Sequence, residues 1–203
     1  MGGRIGAYDM RHREAQLARD LERRHPEAIH AIMFANHDGS AALRTVLRLF
    51  CEQSPSPIPE KCMSPEARHA ARIIIFGHSW GASETVTLAR RLNRLDIPVL
   101  LTIQVDSVQK ANEDDRSIPP NVRSAVNFYQ SQGWLHGRSA IKAADPQHTT
   151  ILGNFESSYR EHNVPCDGYP WLARTFMHSH IEIENDPAVW ARIEDMIQSY
   201  VHE

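Results

Sequence analysis

The chain has 203 residues, a formal net charge of −3, 41% hydrophobic residues and 23% charged residues. That length suits one domain around a single core, here taken as residues 1–203, and the composition is that of an ordinary globular protein. The charge balance excludes a strongly basic nucleic-acid binder, and no run of about 18 apolar residues is present to span a membrane.

The first residues, Met1-Gly2-Gly3-Arg4-Ile5-Gly6-Ala7-Tyr8, lack the apolar core of a signal peptide. Cys51, Cys62 and Cys166 are irregularly spaced and form no metal-like cluster. Reduced thiols and a cytoplasmic location are therefore expected, with a Cys51–Cys62 bridge as the alternative. Arg11, Arg13, Arg19, Arg23 and Arg24 are interleaved with Glu14, Asp20 and Glu22, a pattern that predicts a solvated helix face.

In chain order, Asp9 to Arg24 reads as a helix, and Ala28 to Ala35 as a strand. Asn36-His37-Asp38-Gly39 is a turn, and Ser40 can cap a helix over Ala41 to Cys51. Four prolines mark Gln53 to Pro65 as a loop. Ile73 to Phe76 reads as a strand, Ala82 to Leu95 as a helix and Pro98 to Val105 as a buried strand ending at Asp106. Beyond that the pattern weakens: Ala125 to Tyr129 and Thr150 to Phe155 read as strands, and Ala173 to Met177 as a last short one. Asp186-Pro187 opens a final helix over Ala188 to Val201. Alternating strands and helices predict an α/β protein: a three-layer α/β/α sandwich around a mostly parallel sheet.

The most informative stretch is Ile73-Ile74-Ile75-Phe76-Gly77-His78-Ser79-Trp80-Gly81-Ala82. A β-branched strand runs through Gly-x-Ser-x-Gly directly into a helix, the setting in which that motif presents a nucleophilic serine. A serine hydroxyl needs a base within hydrogen-bond reach and donors for a developing oxyanion. The glycines at 77 and 81 let strand and helix pass close together. The N–H of Trp80, at the helix start, is aimed where an oxyanion would form, and the helix N-terminus adds partial positive charge. His78 is expected to point away from Ser79 and to be structural.

On Gly77 to Gly81 in this setting, the chain resembles the α/β-hydrolase superfamily, in particular its small serine esterase and lipase-like branch without a large cap. The resemblance implies a Ser–acid–His order along the chain and covers nearly all of it. No strand precedes the glycine-rich start, so two readings stay open: the natural chain begins upstream of Met1, or a minimal fold dispenses with N-terminal strands.

The family order places the base in a loop after the last strand, where His178 and His180 both lie. His180 is favoured, being nearer the final helix. His162 sits among polar loop residues and His202 ends the last helix. Were the segment a strand, His178, His180 and Glu182 would share one face, a donor set zinc accepts. The favoured reading needs no metal or cofactor. The acid is assigned to Asp106, one helix and one strand beyond Ser79 and thus on the same sheet edge, one strand over. Many relatives carry the acid one strand later; Glu156 and then Asp145 are the alternatives, and Asp114 and Asp115 read as solvated. A second oxyanion donor is expected from the glycine loop, at the backbone of Gly3 or Arg4.

Phe128, Tyr129, Trp134, Tyr169 and Trp171 either line an acyl pocket or pack loops onto the core. The expected activity is cleavage of a small acyl substrate, an ester or thioester, at a shallow site. The alternatives are a non-catalytic domain of similar fold and an acyltransferase with the same triad.

Overall fold

A computed structural model describes residues 9–51 and 64–201. Its centre is a four-stranded, wholly parallel sheet. In chain order come α1 (Arg13–Arg24), α2 (Gly39–Cys51), α3 (Pro65–His69), β1 (Ile74–His78), α4 (Trp80–Asn93) and β2 (Val99–Val105). There follow β3 (Ser117–Ile118), β4 (Val122–Tyr129), β5 (Lys142–Ala143), β6 (Thr150–Glu156), α5 (Trp171–Phe176), α6 (His178–Asn185) and α7 (Pro187–Val201). The sheet order is β1-β2-β4-β6, and the short β3 and β5 pair separately.

Strand residues alternate between two apolar layers, as the two-residue period of a strand requires. On one face Ile74, Phe76, Leu101, Ile103 and Val126 pack with Leu17 and Leu21 of α1 and Ile193 and Ile197 of α7. On the other, Ile75 and Ala125 meet Ala42 and Leu47 of α2 and Val86, Ala89 and Leu92 of α4. Helices thus cover both faces of the sheet, giving the three-layer arrangement.

Two segments that read as strands are not strands. Ala28 ends a turn in which its N–H bonds to the His25 carbonyl (3.0 Å), and Ile29 to Ala35 pairs with no strand of the sheet. A cavity of about 470 Å³ is lined jointly by this segment and by Ile73 to Phe76. Its apolar residues therefore line a cavity instead of joining a ladder. Ala173 to Met177 falls in the helical turns of α5, where Arg174 N–H bonds to the Pro170 carbonyl (3.1 Å) and Met177 N–H to that of Ala173 (2.8 Å). Local bonds satisfy this backbone, so it needs no sheet partner. Most of the proline-rich loop lies outside the described residues, as does Cys62 and with it any Cys51–Cys62 bridge. Pro65 opens α3, where Ser64 Oγ accepts from the Ala67 N–H (3.2 Å).

Candidate active site

β1 delivers the chain to Ser79 at the carboxyl edge of the sheet. Ser79 has φ 57° and ψ −126°, a left-handed backbone that a side chain rarely adopts. Its N–H bonds to the Val105 carbonyl of the neighbouring strand at 2.9 Å, and its carbonyl accepts from Val108 N–H at 3.3 Å. The turn is therefore held from β2 and from the loop that follows it. Gly77 is needed for this crossing, because a Cβ there would lie 2.7 Å from the carbonyl carbon and oxygen of Gly81. Trp80 is the first residue of α4, so its N–H is one of the four that no helical carbonyl can reach.

The structure brings the three residues singled out from sequence into one chain of contacts. Ser79 Oγ lies 2.9 Å from His180 Nε2, and His180 Nδ1 lies 2.6 Å from Asp106 Oδ2. A carboxylate oxygen only accepts, so Nδ1 carries the proton and Nε2 offers its lone pair to the serine hydroxyl. Asp106 is fully buried and follows β2 with φ 43°. Its Oδ1 accepts from Gly137 N–H (2.7 Å) and Gln130 N–H (3.3 Å), and its Oδ2 from Gln130 Nε2 (2.8 Å). Asp106 is thereby held with the oxygen facing His180 already oriented.

His180 sits not in a loop after a strand but in the first turn of α6. His178, its rival, is half exposed and reaches Glu182 Oε1 at 3.4 Å. On a helix, positions 178 and 180 do not share a face, so the strand-based zinc set of His178, His180 and Glu182 does not assemble. Glu156 closes β6, where it accepts from Ser131 Oγ, and Asp145 bonds His148 Nδ1 at 2.8 Å. Asp115 is not solvated: it is completely buried, bonded to Ser107 Oγ (2.7 Å) and Arg138 Nε (2.9 Å). Both partners flank the acid loop. The proposed donors Gly3 and Arg4 lie outside the described residues.

Of the aromatic residues, Phe128 is core and packs against Phe155. Trp134 and Trp171 are 87% and 67% exposed, and Trp80, beside Ser79, is 40% exposed. Cys166 is buried and its thiol is pushed up to about 11 by that burial and by nearby carboxylates, which leaves it protonated and inert.

Several residues that shape the site escape sequence reasoning. Gly137 and Gln130 hold Asp106; a Cβ on Gly137 would lie 2.3 Å from the Asp106 carbonyl carbon. His12, before α1, bonds through Nδ1 to Glu184 Oε1, while His78 Nδ1 lies 3.5 Å from Glu184 Oε2. Burial alone would raise the Glu184 carboxyl, but His78 and His12 outweigh it and hold it at about 2. The bond to Glu184 raises His12 against the opposing effect of burial, whereas burial pushes His78 down. His12, Glu14 and Glu184 are the one group of three metal-type donors found together among the described residues, with donor atoms within 4.8 Å of one another. Both Glu184 oxygens already face imidazoles, so the group is an ion-pair cluster by its contacts. No helix among the described residues is long and apolar enough to cross a membrane.

No family model matches the chain, and none of the curated proteins or solved structures matches it.

Proposed function

We propose that this chain is a serine hydrolase of α/β-hydrolase type, cleaving carboxylic esters or thioesters of small acyl groups. The observation that carries the reading is the contact chain Ser79 Oγ–His180 Nε2–His180 Nδ1–Asp106 Oδ2, at 2.9 and 2.6 Å, mounted on a left-handed serine between a strand and a helix. A serine used only as a turn residue has no need of a histidine and a buried acid in series.

In this mechanism His180 Nε2 takes the Ser79 hydroxyl proton as Oγ bonds to the substrate carbonyl carbon. The carbonyl π electrons move to oxygen, and the Trp80 N–H stabilises that oxyanion at the α4 N-terminus. As the tetrahedral intermediate collapses, the bond to the alkoxide or thiolate leaving group breaks, and His180 returns the proton to it. Water, deprotonated by His180, then attacks the acyl-enzyme. Its proton passes to Ser79 Oγ as the acid is released. Asp106 stabilises the imidazolium at each stage and keeps the proton on Nδ1.

The test is turnover of p-nitrophenyl acetate. The wild-type chain should hydrolyse it, and Ser79→Ala should reduce the rate to the uncatalysed background. Unchanged turnover in Ser79→Ala would remove the serine from the mechanism.

A further inference from the structure

We infer that Glu184 is a positioning residue for His180 and Ser79, acting through His78 and His12; in its catalytic consequence this rests on the serine-hydrolase reading above. The two contacts of the His180 ring orient the ring but do not hold the helix that carries it. That helix, α6, is eight residues long, and its N-cap, Met177, supplies no side-chain hydrogen bond. Ile183, fully buried in the core, and Glu182, which accepts from the Val164 N–H (3.3 Å), seat this helix on the sheet, and Glu184 adds a polar link from it to β1 and to the chain entering α1.

Glu184 lies one turn after His180 on α6, on the same side of the helix. One oxygen takes the His12 bond, which ties α6 to the chain entering α1. The other faces His78 Nδ1 at 3.5 Å. His78 Nε2 lies 3.2 Å from the His180 carbonyl oxygen, and because a carbonyl only accepts, Nε2–H is the donor. The His78 and His180 rings also lie against each other, with centroids 4.5 Å apart and planes at 35°. His78 is joined covalently to Ser79. His78 therefore touches the backbone of His180 through its ring and is joined to Ser79 through its main chain, and Glu184 faces that ring.

His12, His78 and Glu184 are 7%, 3% and 3% exposed. A carboxylate so deeply buried is a poor device for stability alone, since apolar residues of similar volume commonly do as well. Its use is registry: it fixes where α6 sits relative to β1 and α1. Tyr169 and Glu14 also face this cluster, from the loop before α5 and from α1. Tyr169 is held protonated by burial and by Glu184.

The test compares Glu184→Ala with Glu184→Gln. Glutamine keeps an oxygen acceptor for His12 and an uncharged polar group opposite His78, whereas alanine removes both contacts. Two readouts are taken on protein whose circular dichroism matches wild type: the rate of Ser79 labelling by a fluorophosphonate, and the downfield proton resonance of His180 Nδ1–H, identified by its loss in His180→Ala. Glu184→Ala should label about 10²-fold more slowly, the order expected for a displacement near 1 Å, and should lose the resonance. Glu184→Gln should restore both. A folded Glu184→Ala with wild-type labelling and resonance overturns the inference, as does a Gln variant no better than Ala. If Glu184→Ala does not fold, His12→Ala, at the outer end of the network, should weaken both readouts in the same direction; no change there equally overturns it. The resonance requires no turnover, so a wild type that shows it but never labels overturns the hydrolase reading while leaving the positioning role standing.

Discussion

Ser79 donates its backbone N–H to the carbonyl of Val105 at 2.9 Å, and this bond sets Ser79 beside Asp106. His78 and Val105 are register partners in the parallel pair of β1 and β2, so the residues that follow them, Ser79 and Asp106, leave the sheet side by side. Both then adopt positive φ, 57° and 43°, turning their side chains above the carboxyl edge, where α6 supplies His180. Adjacent parallel strands thus do the work of bringing together residues far apart in sequence, at the edge where open α/β sheets place their ligands.

Asp106→Asn keeps the shape of the acid but not its charge or its proton preference. An amide nitrogen facing His180 Nδ1 would favour the tautomer with the proton on Nε2, which cannot accept from Ser79. Its kcat on p-nitrophenyl acetate is expected to fall by on the order of 10⁴-fold, with KM little changed. Steady-state kinetics of the folded variant check this.

Gly77→Ala places a Cβ 2.7 Å from the backbone of Gly81, which cannot move without shifting the start of α4. A stability loss of about 1–3 kcal/mol is expected in urea unfolding, as for other overpacked sites. Labelling of Ser79 should slow as well, because the same shift moves the Trp80 N–H.

Much of this site is legible in the amino-acid sequence, for identifiable reasons. The elbow announces itself because its requirements are local: a β-branched run, two small residues and a helix. Asp106 follows from the length of one helix and one strand, while the chain order of the family the sequence resembles narrows the histidine to His178 or His180, and only the turn of α6 brings His180 alone to Ser79. What escapes sequence reasoning is set by distant contacts. His12 and Glu184 stand 172 positions apart, and nothing near either one signals the other. Asp115 sits in a polar stretch, yet Arg138 and Ser107 make its burial tolerable. Ala173 to Met177 reads as a short strand, but local carbonyls, rather than a sheet neighbour, take the N–H groups of Arg174 and Met177. Ala28 to Ala35 has the composition of a strand but has no ladder partner, which composition cannot reveal.

The stability of the fold should carry a pH signature of the Glu184–His12 pair. Glu184 is held at about 2, below its ordinary 4.5, so its contribution is in place above about 4.5 and fades as the pH falls from there toward 2. His12 is raised above its ordinary 6.5, so its contribution is in place below 6.5 and fades as the pH rises through the raised value. The two windows overlap between about 4.5 and 6.5. The difference in Tm between wild type and Glu184→Gln should be greatest there and shrink on both sides. The Glu184 carboxylate also favours protonation of His78 against the opposing effect of burial, so the Gln variant loses that attraction as well. Thermal melts across pH 3 to 9 (roughly the range in which these groups titrate) check this, and a flat difference would show that the pair is uncharged.

The most direct measurement is intact-mass and peptide mapping of the chain after exposure to a fluorophosphonate. One adduct, located on Ser79, absent from Ser79→Ala and strongly reduced in His180→Ala, is the expected result. A well-folded wild-type chain that takes up no label, or a Ser79→Ala variant that labels as readily as wild type, would contradict the assignment of Ser79 as an activated nucleophile.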